Sequence, residues 1–229
     1  MMFAEAYIAL TAMIVLLVRP ALGWYEHRLG KTSPMIVRLM YLLAASTLVA
    51  IALLLLNLHP SDIGIYPPSL WATFVTAVGT SLTLLLDSVG AKLLFQHPLL
   101  LQRRVIALKK WLQSSKPNRF LVFIYIGIAA VYEEVVFRGI GIHVLEVSGT
   151  ETLTGLILLS VIFGLQHTAS GWLGVLYASF FGLYFGLLYL AAGSLFAPIV
   201  VHAVGNWFTV LCAYPRMVRT LERQPGFMF

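Results

Sequence analysis

Apolar stretches of about 20 residues recur along the whole chain, separated by short polar segments; that is the length a helix needs to cross roughly 30 Å of hydrocarbon at about 1.5 Å per residue. The pattern predicts seven spanning helices at Phe3–Leu22, Met35–Leu58, Leu70–Leu94, Phe120–Ile142, Leu153–Ala169, Trp172–Ala191 and Leu195–Ala213. The fold class is therefore all-α, a polytopic transmembrane bundle. Between the third and fourth spans, Leu99–Pro117 has a different period: Leu101, Val105, Leu108 and Leu112 share one helical face and Arg103, Lys109, Lys110 and Gln113 crowd the other. Two readings fit it, an interfacial helix on the membrane surface and an ordinary basic connecting loop.

Composition agrees with the pattern. Of 229 residues, 60% are hydrophobic and 10% charged, with a mean hydropathy of +0.90, outside the range of soluble domains. The basic residues fall in alternate polar segments: Arg28 and Lys31, then Arg103 to Arg119, then Arg216 to Arg223. His59–Ser69 and His143–Thr152 hold no Lys or Arg. Short cytoplasmic loops are enriched in Lys and Arg, so this asymmetry predicts an external N-terminus and a cytoplasmic C-terminus, and makes the net charge of +6 an orientation signal rather than a nucleic-acid footprint. Three segments follow: 1–118, N-terminal helices and a cytoplasmic basic segment; 119–215, the polar-bearing core; and 216–229, a short basic tail. The first span lacks a basic n-region and reads as a retained helix. Cys212 is the single cysteine, which excludes an intrachain disulfide and assigns it to packing.

Arg19, Arg38 and Lys92 lie near the span ends that flank these basic segments and count with them, so of the fifteen basic residues only Arg138 is left over, beside Glu133 and Glu134. Ionised side chains in hydrocarbon are rare and costly, and they mark polar cavities and functional sites. Glu134 and Arg138 are four residues apart on one face, with the acid N-terminal, so they can neutralise each other. Glu133 points elsewhere and has no partner on its own helix, which makes it the candidate general base. The fifth span contributes Phe163-Gly-Leu-Gln-His167 and the seventh His202-Ala-Val-Gly-Asn206; in each, the first and last residues share a helical face. Phe163 can pack behind the His167 ring, and His202 and Asn206 can present two hydrogen-bonding groups to one point. Gly139 and Gly141 mark either a loosened helix or its end, and Gly182 and Gly186 mark close helix packing.

Glu-Glu-x-x-x-Arg, Phe-x-x-x-His and His-x-x-x-Asn, in that order on three helices, resemble the CAAX-protease and bacteriocin-processing family of intramembrane proteases. The resemblance covers about Phe120–Pro215 and implies about eight spans. It implies that Glu133 and His167 activate a water for attack on a peptide carbonyl, that His202 and Asn206 stabilise the oxyanion, and that Glu134, Arg138 and Phe163 support the site. It further implies a membrane-anchored protein or peptide as substrate, the bilayer as surroundings and a prokaryotic plasma membrane as location. Two histidines and a glutamate are also a zinc set, so Glu133, His167 and His202 are the ligands if a metal takes part; a metal-free mechanism is favoured because no His-Glu-x-x-His is present. A catalytically silent, immunity-type peptide binder and a proton- or ion-coupled transporter are the alternatives. Counted from the span boundaries, Glu133 and His202 lie roughly 10–12 Å from the external edge and His167 nearer 20 Å. For the three to meet, the fourth and seventh spans must begin later than drawn, or the fifth must end later.

Overall fold

Polar side chains cap the start of three helices. Ser69 Oγ accepts the Ala72 N–H at 3.0 Å, Asn118 Oδ1 accepts those of Phe120 and Leu121, and the Glu151 carboxylate accepts those of Leu153 and Thr154. Each satisfies amide groups that the first helical turn leaves without partners. The two amides, Leu153 first, hold the Glu151 carboxyl below the usual carboxylate range.

The computed structural model describes residues 35–55, 57–112 and 118–223, among which there are helices and turns but no strand. The helices are α1 (Met35–Leu55), α2 (Leu70–Phe95), α3 (Pro98–Leu112), α4 (Arg119–Val147), α5 (Thr152–Leu165), α6 (Gly171–Ala192) and α7 (Phe196–Glu222). The predicted first span, Phe3–Leu22, lies outside the described residues. Four helices, α2, α4, α6 and α7, are long and apolar enough to cross a membrane, and the apolar stretches Met35–Ile51 and Thr152–Leu165 are shorter. The chain is an all-α integral membrane protein.

Two helices run further than their apolar patterns indicate. α4 passes through Gly139 and Gly141 without ending, loosening into π-helical turns over Val135–Gly141 and continuing to Val147. π-Helical turns inside an α-helix are frequent at functional sites. α7 does the same over Phe208–Ala213 and ends at Glu222, so Arg216 and Arg219 belong to the core's last helix rather than to a separate tail. Cys212, assigned above to packing, is exposed.

Two assumptions about connecting segments are also corrected. The His59–Ser69 segment is more than a punctuated loop: a 3₁₀ turn at Pro60–Ile63 buries Ile63 completely among Val136, Phe137 and Ile140. The Gly64 carbonyl accepts the Leu195 N–H at 2.9 Å, Tyr66 Oη donates to the Gly193 carbonyl, and Trp71 Nε1 donates to the Ala191 carbonyl at 2.8 Å. This cap covers the α6–α7 turn and allows α7 to begin beneath it. The Leu99–Pro117 segment does form a helix over its described part, but Leu101, Val105 and Leu112 are covered by protein. Leu101 and Val105 pack on Ala213, Met217 and Leu221 of α7, and Leu112 packs on Val122 and Ile126 of α4.

Helix register removes the mismatch in depth, though not by the shifts expected from sequence. α4 and α5 pack with Gly141 against Leu159, Leu145 against Gly155 and Phe137 against Phe163. Continued along both segments, this register brings Glu133 level with His167. The fourth span ends five residues later than Ile142, at Val147, and α5 ends earlier than predicted, leaving His167 in the turn that follows. The α5–α6 pair closes on glycines, as expected for Gly182 and Gly186: Gly164 faces Val175 and Ser179, Gly182 faces Ser160, and Gly186 faces Leu156.

A side chain at Gly164 would collide with Ser179 Oγ and come within 2.7 Å of the backbone carbonyl of Val175. We therefore expect Gly164→Ala to destabilise the protein by about 1–3 kcal/mol, the usual cost of overpacking, seen as a lower unfolding midpoint in detergent. Gly90→Ala, with nothing within 4 Å of the added carbon, should be neutral or mildly stabilising. Equal behaviour of the two variants would contradict the packing assigned to α5 and α6.

Candidate active site

The predicted pairing of Glu134 and Arg138 is present, and it extends to two further helices. Arg138 Nη1 donates to Glu134 Oε1 at 3.1 Å, and Nη2 donates to the Gly182 carbonyl of α6 at 2.6 Å. The guanidinium lies 4.8 Å from the centre of the Phe163 ring on α5. Glu134 Oε1 also accepts a 2.7 Å hydrogen bond from His202 Nδ1 on α7. Glu134 Oε2 accepts no hydrogen bond among the described residues, although Arg138 Nη1 is 3.1 Å away. With exposures of 0% for Glu134, 2% for Arg138 and 6% for His202, this cluster is shielded from solvent, where such a pair is tolerated only when hydrogen-bonded.

Glu133 meets α7 as well: its Oε2 lies 3.8 Å from His202 Nε2. The two adjacent glutamates therefore address opposite nitrogens of one imidazole. Glu134 holds Nδ1 in a short hydrogen bond, and Glu133 stands off Nε2. Phe185 of α6 stacks on the His202 ring with centroids 4.7 Å apart, which fixes the ring plane.

His167 stands beside Phe163 as the spacing predicts, with ring centroids 5.0 Å apart. Its Nδ1 is 2.9 Å from the Phe163 carbonyl oxygen. A carbonyl only accepts, so Nδ1 carries a proton. Phe163 also meets the His202 ring edge to face at 6.2 Å, so the two imidazoles flank one aromatic ring. Asn206 lies one turn beyond His202 and is exposed.

Glu133, His167 and His202 have the donor chemistry of a zinc set. Among the described residues, however, no three His, Cys, Asp or Glu side chains are gathered closely enough to hold a metal ion.

Sequence reasoning missed several participants. Phe185 is one of three aromatic residues, Tyr177, Phe181 and Phe185, that recur every four residues along α6. Asp87 is a carboxylate inside a spanning helix, and the rule that singled out Glu133 applies equally to it. It accepts a 2.7 Å hydrogen bond from Tyr177 Oη. No sequence signal marks the Gly182 carbonyl, because its role follows from helix register.

Residues 115–208 match the family model described as type II CAAX prenyl endopeptidase Rce1-like, in agreement with the resemblance carried by the three motifs. No curated protein and no solved structure matches the chain.

Removing one member of the buried pair leaves the other uncompensated. We expect Arg138→Met alone to cost about 3–5 kcal/mol, read as loss of folded protein in detergent, and the double variant Arg138→Met with Glu134→Gln to recover part of that loss. Strict additivity of the two changes would show that the pair is not coupled.

Proposed function

We propose that this membrane protein, whose residues 115–208 match the Rce1-like family, is an intramembrane endopeptidase that hydrolyses a peptide bond near the C-terminus of a prenylated CAAX protein. The observation that carries the reading is the arrangement of two buried carboxylates about His202. Glu134 anchors one ring nitrogen at 2.7 Å, leaving Glu133 and the second nitrogen, 3.8 Å apart, to act on a bound peptide.

In this reading the Glu133 carboxylate takes a proton from water as the water oxygen bonds to the scissile carbonyl carbon. His167 orients that water as a second acceptor through Nε2. Arg138 offsets the charge of Glu134, and the two carboxylates face Nδ1 and Nε2 of His202. Its Nε2–H donates to the developing oxyanion, and Asn206 adds a second donor from the same helix. As the C–N bond breaks, the proton held by Glu133 passes to the leaving nitrogen. The products are a new carboxylic acid, which keeps the water's hydroxyl, and an amine, which takes the other water proton; transfer of the acid proton to the amine then gives carboxylate and ammonium. The family provides a protein or peptide substrate, and the apolar helices provide the bilayer in which it is met. The basic ends of α2, α3 and α7 face the cytoplasm, where a C-terminal lipidation signal resides.

Purified protein in liposomes should cleave a prenylated CAAX peptide. Glu133→Gln should reduce the rate by at least about 10²-fold, the lower range for loss of a general base, with unchanged insertion and yield. Retained cleavage in Glu133→Gln would remove the assignment. In the same assay a chelator should leave the rate unchanged, whereas full loss restored by zinc would make Glu133, His167 and His202 metal ligands.

A further inference from the structure

A second polar cluster lies towards the basic end of the bundle, about 10 Å from the catalytic level. α2 and α7 run parallel, with Gly79 against Val201, Thr83 against Gly205 and Asp87 beside Thr209. Asp87 is thus level with a position seven residues beyond His202, a helical rise of about 10 Å. Its two oxygens are engaged: Oδ1 accepts from Tyr177 Oη at 2.7 Å, and Thr209 Oγ1 lies 3.5 Å from Oδ2. Arg104 reaches in from α3 with its guanidinium 5.8 Å from the centre of the Tyr177 ring. The docking of Leu101 and Val105 on α7 fixes α3 in place and so directs Arg104 towards α6.

Among the described residues Arg104 makes no hydrogen bond; the Asp87 carboxylate is its charged neighbour, and its N–H donors are open to a further acceptor. Tyr177 is 46% exposed although it sits within a spanning helix and beside a carboxylate. Charged groups at such a position face water or a bound polar group rather than lipid. Lys92 of α2 and Arg103 and Lys109 of α3 are exposed. From Tyr177 an aromatic line leads back to the site: Tyr177 to Phe181 at 4.7 Å, Phe181 to Phe185 at 5.6 Å, and Phe185 to His202 at 4.7 Å.

We infer that Arg104, held over Tyr177, binds the C-terminal carboxylate of the substrate and so sets the distance from chain end to scissile bond. This rests on the peptidase reading. Three extended residues reach about 10 Å, which matches the separation of the two clusters and the three residues that follow the lipidated cysteine of a CAAX terminus. A planar guanidinium suits a carboxylate because it can donate two parallel hydrogen bonds. The interaction gives the enzyme a ruler: a longer tail places its carboxylate beyond Arg104, and a shorter one does not reach it.

The test uses full-length protein in liposomes with a farnesylated CAAX peptide, as the free acid and as the C-terminal amide. Wild-type kcat/KM should fall about 10- to 100-fold on amidation, the usual effect of losing a charge-assisted hydrogen bond. Arg104→Ala should lower the acid peptide to the amide's rate and leave the amide unchanged, and Arg104→Lys should recover part of the preference. Equal cleavage of acid and amide by the wild type, or an equal loss for both in Arg104→Ala, would overturn the inference. So would a loss in Arg104→Ala that follows the anionic-lipid content of the liposomes and ignores amidation, because Arg104 would then be a headgroup contact. A wild-type protein that cleaves neither peptide would instead overturn the peptidase reading, and this inference with it.

Discussion

The buried bridge from Arg138 through Glu134 to His202 is the interaction on which the rest of the structure depends. It joins four helices at one depth. Arg138 and Glu134 come from α4, the Gly182 carbonyl from α6, the Phe163 ring from α5 and His202 from α7. Placing a guanidinium and a carboxylate in an apolar interior is costly unless their donors and acceptors are matched. Here the guanidinium reaches a carboxylate, a carbonyl and an aromatic face, and the carboxylate reaches a cation and an imidazole. Because breaking any of these contacts exposes a charge to hydrocarbon, the helices are held in one register. Glu133 and His167 owe their positions to that register.

The division between the two glutamates was legible in the chain. A spacing of four residues pairs Glu134 with Arg138 and turns Glu133 away, and the structure has that pairing. The helical bodies from Met35 onward were legible too, because runs of apolar residues bounded by Ser69, Asn118 and Glu151 specify them locally. Where the account from sequence departs from the structure, the cause is tertiary. Two glycines after Arg138 look like a helix end when viewed alone. In the bundle Gly139 lies against Ile63 and Gly141 against Leu159, and α4 continues through them as π-helix. The depth mismatch arose from that misplaced end. The apolar face of α3 reads as membrane-seeking until α7 is seen to extend to Glu222 and cover it. Asp87 was readable by the same rule as Glu133 but was overlooked among the longer motifs.

Two structural features shape the surroundings of the candidate site. α5 ends at Leu165, so His167 sits where helical backbone gives way to a turn, a feature tolerated at depth where protein or water surrounds it. The cap formed by residues 60–66 closes the opposite end over the start of α7. Asn206, Tyr177 and Arg104 lie towards the other, basic end.

The central claim is that the two neighbouring glutamates have different work, one chemical and one structural. The most direct measurement is cleavage rate per folded molecule, with the folded fraction measured independently, for Glu133→Gln and Glu134→Gln in the same liposomes. The account predicts a fully folded Glu133→Gln with its rate lost, and a Glu134→Gln whose folded fraction falls together with its activity. A fully folded but inactive Glu134→Gln beside an active Glu133→Gln would contradict it.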